Sequence, residues 1–330
     1  MTWRLTALAT NSLGSAAFGM GWSGRAIGVL RVLAWGALLG VTGLLVRGEV
    51  ARDPLPGDVV AYTDLVYRRD GRRTERLDVY VPARVPPRGG WPAVLAIHGG
   101  GWRGGNKRGY GQMAAALVEH GYVVAALDYA LSAPGAPSWP ANLEDLRAAV
   151  RWLRRNAAVY NTDPNRIAVM GASAGGHLAA LLATSPDDAS TEAEPETSAR
   201  VQAVIDFYGP TDLTALAETS RRAGPSLKLF LGGGLRDVPD RYRAASPVGH
   251  VTPDTPPMLI IHGEDDLLVP IDQSRRLAAA LDQAGVPHQL IVVPGARHGF
   301  DFQAGRRDLR AGILAFLESA WNVNPGARAR

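Results

Sequence analysis

Six short, nearly uninterrupted apolar runs recur along this chain, at residues 93–97, 122–127, 166–170, 201–207, 258–261 and 289–293. A strand wetted on one face alternates apolar and polar residues. Runs apolar at consecutive positions need cover on both faces, which parallel strands receive between two layers of helix. An earlier strand is expected at 77–81, followed by a Pro- and Gly-rich turn up to Trp91. Helical periods lie between the runs. Leu143, Leu146, Val150 and Leu153 share one stripe, with Asp145, Arg147 and Arg151 off it and Pro140 suited to a first turn. Leu309, Ile313, Phe316 and Leu317 form a second stripe near the C-terminus. Strands alternating with helices predict an α/β fold, a mostly parallel, doubly wound sheet with helices on both faces. Residues 211–257, between two strands, are long enough to form a small cap.

Composition narrows the function. The 330 residues are 46% hydrophobic and 20% charged, which suits one large domain with a sizeable core. Net charge is only +4, and the arginines are interleaved with Asp and Glu, so no nucleic-acid partner is indicated. The chain has no cysteine, which excludes disulfides, thiolate metal sites and a cysteine nucleophile. Residues 185–196 are acidic and polar and read as a solvated loop rather than a calcium site.

Gly171-Ala172-Ser173-Ala174-Gly175-Gly176 stands between the strand at 166–170 and an apolar run from His177. Strand, tight turn and helix in that order project a serine on a strained backbone, and small neighbours two residues away permit the turn. The helix beginning there directs its positive end at the serine oxygen. Two plainer readings are a close-packed turn and a phosphate loop, but the Lys-Ser/Thr ending of a P-loop is missing. Ser173 is therefore the candidate nucleophile.

His98-Gly99-Gly100-Gly101-Trp102 follows directly on the strand at 93–97. Consecutive glycines let the chain turn its N–H groups toward a developing oxyanion. Gly100 and Gly101, with the N–H of Ala174 after the nucleophile, would complete such a hole. His98 reads as a structural residue of this loop. For a serine on such an elbow, the acid and then the base follow along the chain, at strand ends. His288 opens its strand and lies at the wrong end, whereas His298 follows the strand at 289–293 and is the candidate base. The acid lies in His262-Gly263-Glu264-Asp265-Asp266, and the residues alone leave Glu264, Asp265 and Asp266 equal.

Taken together, residues 77–300 resemble the esterase/lipase branch of the α/β-hydrolase superfamily. Bacterial carboxylesterases and acetyl-xylan or feruloyl esterases are nearest, with the hormone-sensitive-lipase group further off. The matching pieces are H-G-G-G-W at 98–102, D-Y-A-L-S at 128–132, G-A-S-A-G-G at 171–176, H-G-x-x-D-x-x-V-P at 262–270 and H-G-F at 298–300. The resemblance implies that Asp266 is the acid. It further implies an acyl-enzyme on Ser173, a small-molecule ester as substrate, and no metal or organic cofactor. Ala172 and H-G-E-D-D depart from the hormone-sensitive-lipase pattern and favour the carboxylesterase side. Trp102, Trp139 and the apolar stretch 227–231 are expected to line the pocket. Two alternatives are an amide hydrolase of arylformamidase type and a non-catalytic ligand-binding protein on the same fold. The latter typically loses its base, and His298 is present.

The α/β domain is expected over 53–322, with a tail at 323–330. Residues 1–25 form a small-residue, basic segment without sustained period, and 26–48 read as a membrane anchor or a signal peptide. The uncharged run 32–46 spans roughly 22 Å as a helix, short of a roughly 30 Å hydrocarbon core. Starting at Ala26 with Arg31 snorkelling supplies the missing length. No A-x-A cleavage pattern follows, Met20 offers an alternative start, and a buried helix is the third reading. Either membrane reading places the domain outside the cytoplasm, anchored through 26–46 or secreted. Arg47 and Arg52 on the far side weigh against that orientation.

Overall fold

The computed structural model describes residues 49–50, 58–71, 73–185, 197–304 and 307–322. The expectations for 1–25, for the anchor or signal at 26–48, for the loop beyond Ser185 and for the tail at 323–330 lie outside these residues. Among the described residues, no helix is long and apolar enough to cross a membrane.

In chain order the strands are β1 (Glu49–Val50), β2 (Val59–Arg69), β3 (Thr74–Pro82), β4 (Trp91–Ile97), β5 (Val123–Leu127), β6 (Thr162–Ala172), β7 (Ala203–Phe207), β8 (Met258–Gly263), β9 (His288–Val293), β10 (Gln303–Ala304) and β11 (Arg307–Asp308). The helices are α1 (Gly111–Glu119), α2 (Ala141–Arg155), α3 (Ala174–Thr184), α4 (Leu213–Thr219), α5 (Gly224–Leu231), α6 (Pro239–Ala244), α7 (Asp272–Gln283) and α8 (Arg310–Asn322). The first nine strands form one sheet in the order β1-β2-β3-β5-β4-β6-β7-β8-β9. From β5 to β9 all neighbours are parallel, and β1 to β3 add an antiparallel edge.

Each central strand feeds two cores, because successive side chains point to opposite faces. Ala93, Leu95 and Ile97 enter a core shared with Leu146, Leu178 and Leu277 of α2, α3 and α7. Val94 and Ala96 enter the other, against Leu117 of α1 and Ile313 and Leu317 of α8. This is the doubly wound arrangement expected from the apolar runs.

Three details differ from the sequence reading. The sheet starts before residue 53, because Glu49 and Val50 pair with Tyr62 and Thr63 of β2. The long strand β2 was not anticipated: it lies toward the antiparallel edge, half-wetted, and two register shifts break its alternation. Asp145, Arg147 and Arg151, off the apolar stripe of α2, are buried too. Asp145 is fully covered and accepts hydrogen bonds from Arg68 Nη1 (2.8 Å), Arg73 Nη1 (2.9 Å) and Ala130 N–H (2.9 Å). Two arginines from the β2–β3 hairpin thus offset the cost of that buried carboxylate.

Between β7 and β8 the chain leaves the sheet to build α4, α5 and α6, the cap expected at 211–257. Its seat is specified by hydrogen bonds. The Gln273 carboxamide oxygen accepts from the N–H groups of Thr211 and Asp212 (2.9 and 2.8 Å), and Ser246 Oγ accepts from Leu213 N–H (2.9 Å).

Candidate active site

The parallel strands end on one edge of the sheet, where the loops after β4, β6, β8 and β9 converge. β6 delivers the chain to Ser173, whose φ of 56° and ψ of −120° lie in a region that L-residues rarely occupy. Such a conformation costs on the order of 1–3 kcal/mol and persists only when its surroundings over-determine it. Here the surroundings do so. A Cβ on Gly175 would stand 2.0 Å from the Ile97 carbonyl oxygen, and one on Gly171 would stand 2.2 Å from that of Gly175. Ser173 N–H donates to the Phe207 carbonyl at 2.8 Å, tying the turn to β7. α3 begins at the next residue.

Ser173, His298 and Asp266 form one hydrogen-bonded chain. His298 Nε2 lies 2.8 Å from Ser173 Oγ, and His298 Nδ1 lies 2.5 Å from Asp266 Oδ2. The carboxylate fixes the tautomer, with Nδ1–H donating to Asp266 and the Nε2 lone pair facing the serine hydroxyl. Asp266 Oδ1 accepts from the N–H groups of Leu268 and Val269, both at 2.9 Å. Burial pushes the Asp266 carboxyl up, but hydrogen bonds from His262, His298 and Val269 outweigh it and hold the group well below the usual carboxylate range. Glu264 and Asp265, which the residues alone left equal to Asp266, are exposed. His288 lies at the opening of β9, away from the strand ends that carry the triad.

The loop after β4 passes the nucleophile closely, since a Cβ on Gly99 would lie 3.4 Å from that of Ser173. Gly100 and Gly101 have φ of 120° and 60°. The Gly100 carbonyl turns away and accepts from the N–H groups of Arg103 and Gly104, both at 3.2 Å. Among the described residues no acceptor binds the N–H of Gly100, Gly101 or Ala174. His98 anchors the loop: its ring stacks on Tyr129 (4.3 Å between centroids), and its Nδ1–H donates to the Gly99 carbonyl at 2.8 Å.

The two tryptophans expected to line a pocket divide. Trp102 is 3% exposed. Its indole stacks on Phe230 of α5 (4.5 Å, 7° between planes), and its Nε1–H donates to His177 Nδ1 at 3.1 Å. It is a packing residue that joins the oxyanion loop to the cap, because a ring stacked on one face, bonded at its N–H edge and almost wholly buried leaves little surface for substrate. Leu227, Phe230 and Leu231 are buried for the same reason. Trp139 is half-buried against Phe230, at 6.0 Å between centroids.

Four supporting residues had no role assigned from the sequence, although His262 opens the H-G-x-x-D motif. His177 on α3 links the nucleophile helix to Trp102 and, through Nε2–H, to the Ala245 carbonyl of the cap at 2.7 Å. Burial lowers its pKa to about 4, so it stays neutral at physiological pH. His262 Nε2–H donates to Val269 O at 2.8 Å and reaches Asp266 Oδ2 at 3.4 Å, while Nδ1 accepts from Ser274 Oγ–H at 2.6 Å. Tyr208 presses its ring edge on His298 (4.8 Å between centroids) and donates its hydroxyl to the Phe300 carbonyl.

Asp206 is the fourth, fully buried beside the elbow glycine Gly176. Oδ1 accepts from Gly209 N–H at 2.8 Å, and Oδ2 has no partner among the described residues. Burial pushes this carboxyl up to about 6, against the lowering effect of the Gly209 bond. The folded chain therefore holds the proton more tightly than the unfolded chain, and stability falls as pH rises from about 4 to about 6. Asp206→Asn, which has no charge to bury, should gain on the order of 2–3 kcal/mol over the wild type between pH 4 and pH 7. Denaturant unfolding of both proteins at the two pH values measures this. A difference that does not change with pH would mean the carboxyl ionises without penalty.

Residues 77–281 match the BD-FAE family. The chain is 34% identical over 272 residues to Esterase LipQ of Mycobacterium tuberculosis (strain ATCC 25618 / H37Rv), covering 81% of this chain and 64% of that protein. It thus spans somewhat under two thirds of that relative's length. Among solved structures, a truncated carbohydrate esterase from gut microbiota is 30% identical, with a TM-score of 0.69 over 83% of this chain and 99% of that one. The thermophilic esterase Est2 of Thermogutta terrifontis is 29% identical, with a TM-score of 0.65 over 84% and 91% of the two chains.

Proposed function

We propose, because this chain belongs to the BD-FAE family and has an α/β-hydrolase fold, that it is a serine carboxylesterase acting on small to medium esters. The observation that carries this reading is the chain of hydrogen bonds from Ser173 Oγ through His298 to Asp266, set beside backbone N–H groups that have no acceptor among the described residues. His298 Nε2 takes the serine proton as Oγ attacks the ester carbonyl, and the N–H groups of Gly100, Gly101 and Ala174 hold the oxyanion. His298 then protonates the departing alcohol, and water repeats the sequence on the acyl-enzyme. Leu267, 65% exposed, and Leu268 follow the acid directly and offer apolar surface for a short acyl or alcohol chain. The sequence of 26–48 supports membrane anchoring or secretion as the setting of this activity.

A fluorophosphonate probe and a series of p-nitrophenyl esters of increasing acyl length test the proposal on the whole chain. Labelling of the folded wild type but not of Ser173→Ala, with turnover greatest on the shorter esters, is the expected result. A folded wild type that neither labels nor turns over any ester would sink it. Turnover of N-formylkynurenine in preference to the esters would place the protein among amide hydrolases instead.

A further inference from the structure

The cap brings one side-chain hydroxyl to the oxyanion loop that neither the sequence nor the triad accounts for. Ser226 lies on α5, four residues before Phe230, so the two share a helix face. Phe230 stacks on Trp102, the residue after Gly101, and Trp139 N–H donates to the Phe230 carbonyl at 3.3 Å. This packing fixes α5 against the loop. A Cβ on Gly101 would lie 3.2 Å from Ser226 Oγ and 3.6 Å from its Cβ, so this serine is the nearest side chain on that side of the third glycine.

The hydroxyl is also free. Ser and Thr in helices commonly return their proton to the carbonyl four residues back, as Thr184 and Thr219 do here to Ala180 and Ala215. Ser226 Oγ has no hydrogen-bond partner among the described residues, although the residue is half-buried. A half-buried donor held beside Gly101, whose N–H also lacks an acceptor among the described residues, is poised for a ligand oxygen.

We propose that Ser226 Oγ–H is a further hydrogen-bond donor to the ester carbonyl oxygen as it becomes the oxyanion. This rests on the carboxylesterase reading. The donor comes from the cap, so the hole is assembled from three segments: the loop after β4, the start of α3 and the face of α5. Because the aromatic stack holds it in place beforehand, it stabilises developing charge without reorganising during the reaction.

Ser226→Ala, Ser226→Thr and Ser226→Val in the full chain test this, with kcat and KM for p-nitrophenyl acetate and a thermal unfolding midpoint for each. Thr and Val have the same shape, so their difference reads the hydroxyl rather than the fit. Ala and Val should lower kcat at least about tenfold with KM little changed, and Thr should stay near the wild type. Wild-type kcat in Ala and Val would overturn the proposal, as would equal losses in Thr and Val or a change confined to KM. If Thr and Val fail to fold, Ala against the wild type decides alone. A wild type that neither labels nor turns over sinks the esterase reading and this one with it. An active wild type with an unimpaired Ser226→Ala sinks only this one.

Discussion

Exchanging Ser173 for Ala is expected to lower kcat on an activated ester about 10⁶-fold, and exchanging His298 for Ala to lower it by a similar factor. The double variant should be no slower than either single one. His298 Nε2 stands 2.8 Å from Ser173 Oγ, and its task is to remove the proton of that one hydroxyl. Without the serine the base has nothing to activate, and without the base the hydroxyl at neutral pH is a poor nucleophile. Either loss therefore forfeits the whole acyl-enzyme route. What remains is the rate supplied by the oxyanion donors and by binding, roughly 10³–10⁴ above the uncatalysed reaction. Steady-state rates for the three variants, with active-site titration to exclude wild-type contamination, measure this. Losses that multiply in the double variant would show two residues acting independently, and the contact between them would then not be the catalytic one.

Asp266→Asn is expected to lower kcat about 10⁴-fold, and Asp265→Asn only a few-fold. The size of the first effect follows from how the carboxylate is held. Asp266 Oδ1 accepts two backbone N–H bonds, from Leu268 and Val269, and an asparagine there must keep its carbonyl oxygen on those donors. That turns its NH₂ group toward His298 Nδ1, where Oδ2 now accepts. A donor facing Nδ1 selects the other tautomer, which places a proton on Nε2 and leaves no lone pair for Ser173. The ring stays in place but holds its proton on the wrong nitrogen. Asp265 is exposed and contributes its backbone N–H to the Ala296 carbonyl, which asparagine preserves. Steady-state kinetics on one ester compares them, and equal losses would mean that the acid is not Asp266.

The central sheet was legible because its strands are buried on both faces and so write continuous apolar runs. The antiparallel edge was not, because a half-wetted strand such as β2, with two irregularities in its register, carries no such run. At the site, glycine spacing and chain order pointed to Ser173, the His98–Trp102 loop and His298, all of which stand at the ends of parallel strands. The acid was a tie among three carboxylates until resemblance separated them. What distinguishes them in space is burial and the backbone N–H groups they accept, and neither is written locally. His177 and Tyr208 were silent for a related reason. Their partners lie elsewhere in the chain, with Trp102 standing 75 residues from His177 and Phe300 standing 92 from Tyr208. Trp102 misled because a large aromatic beside a catalytic loop looks the same in sequence whether it meets substrate or a second ring.

The cap is attached to the catalytic frame by two kinds of contact, and they constrain heredity differently. His177 grips it through the carbonyl oxygen of Ala245, a main-chain atom that every amino acid supplies. Mutation at position 245 can change the side chain without removing that handhold. The stack of Phe230 on Trp102 is the opposite case, because only a flat ring fills it. Most of the 211–257 insertion is thus free to drift while its seat is kept, provided that Phe230, Ser246 and the hydroxyl of Ser226 stay in place. A lineage built on this frame can reshape most of the cap's outer surface while those few positions, and the frame beneath, stay as they are.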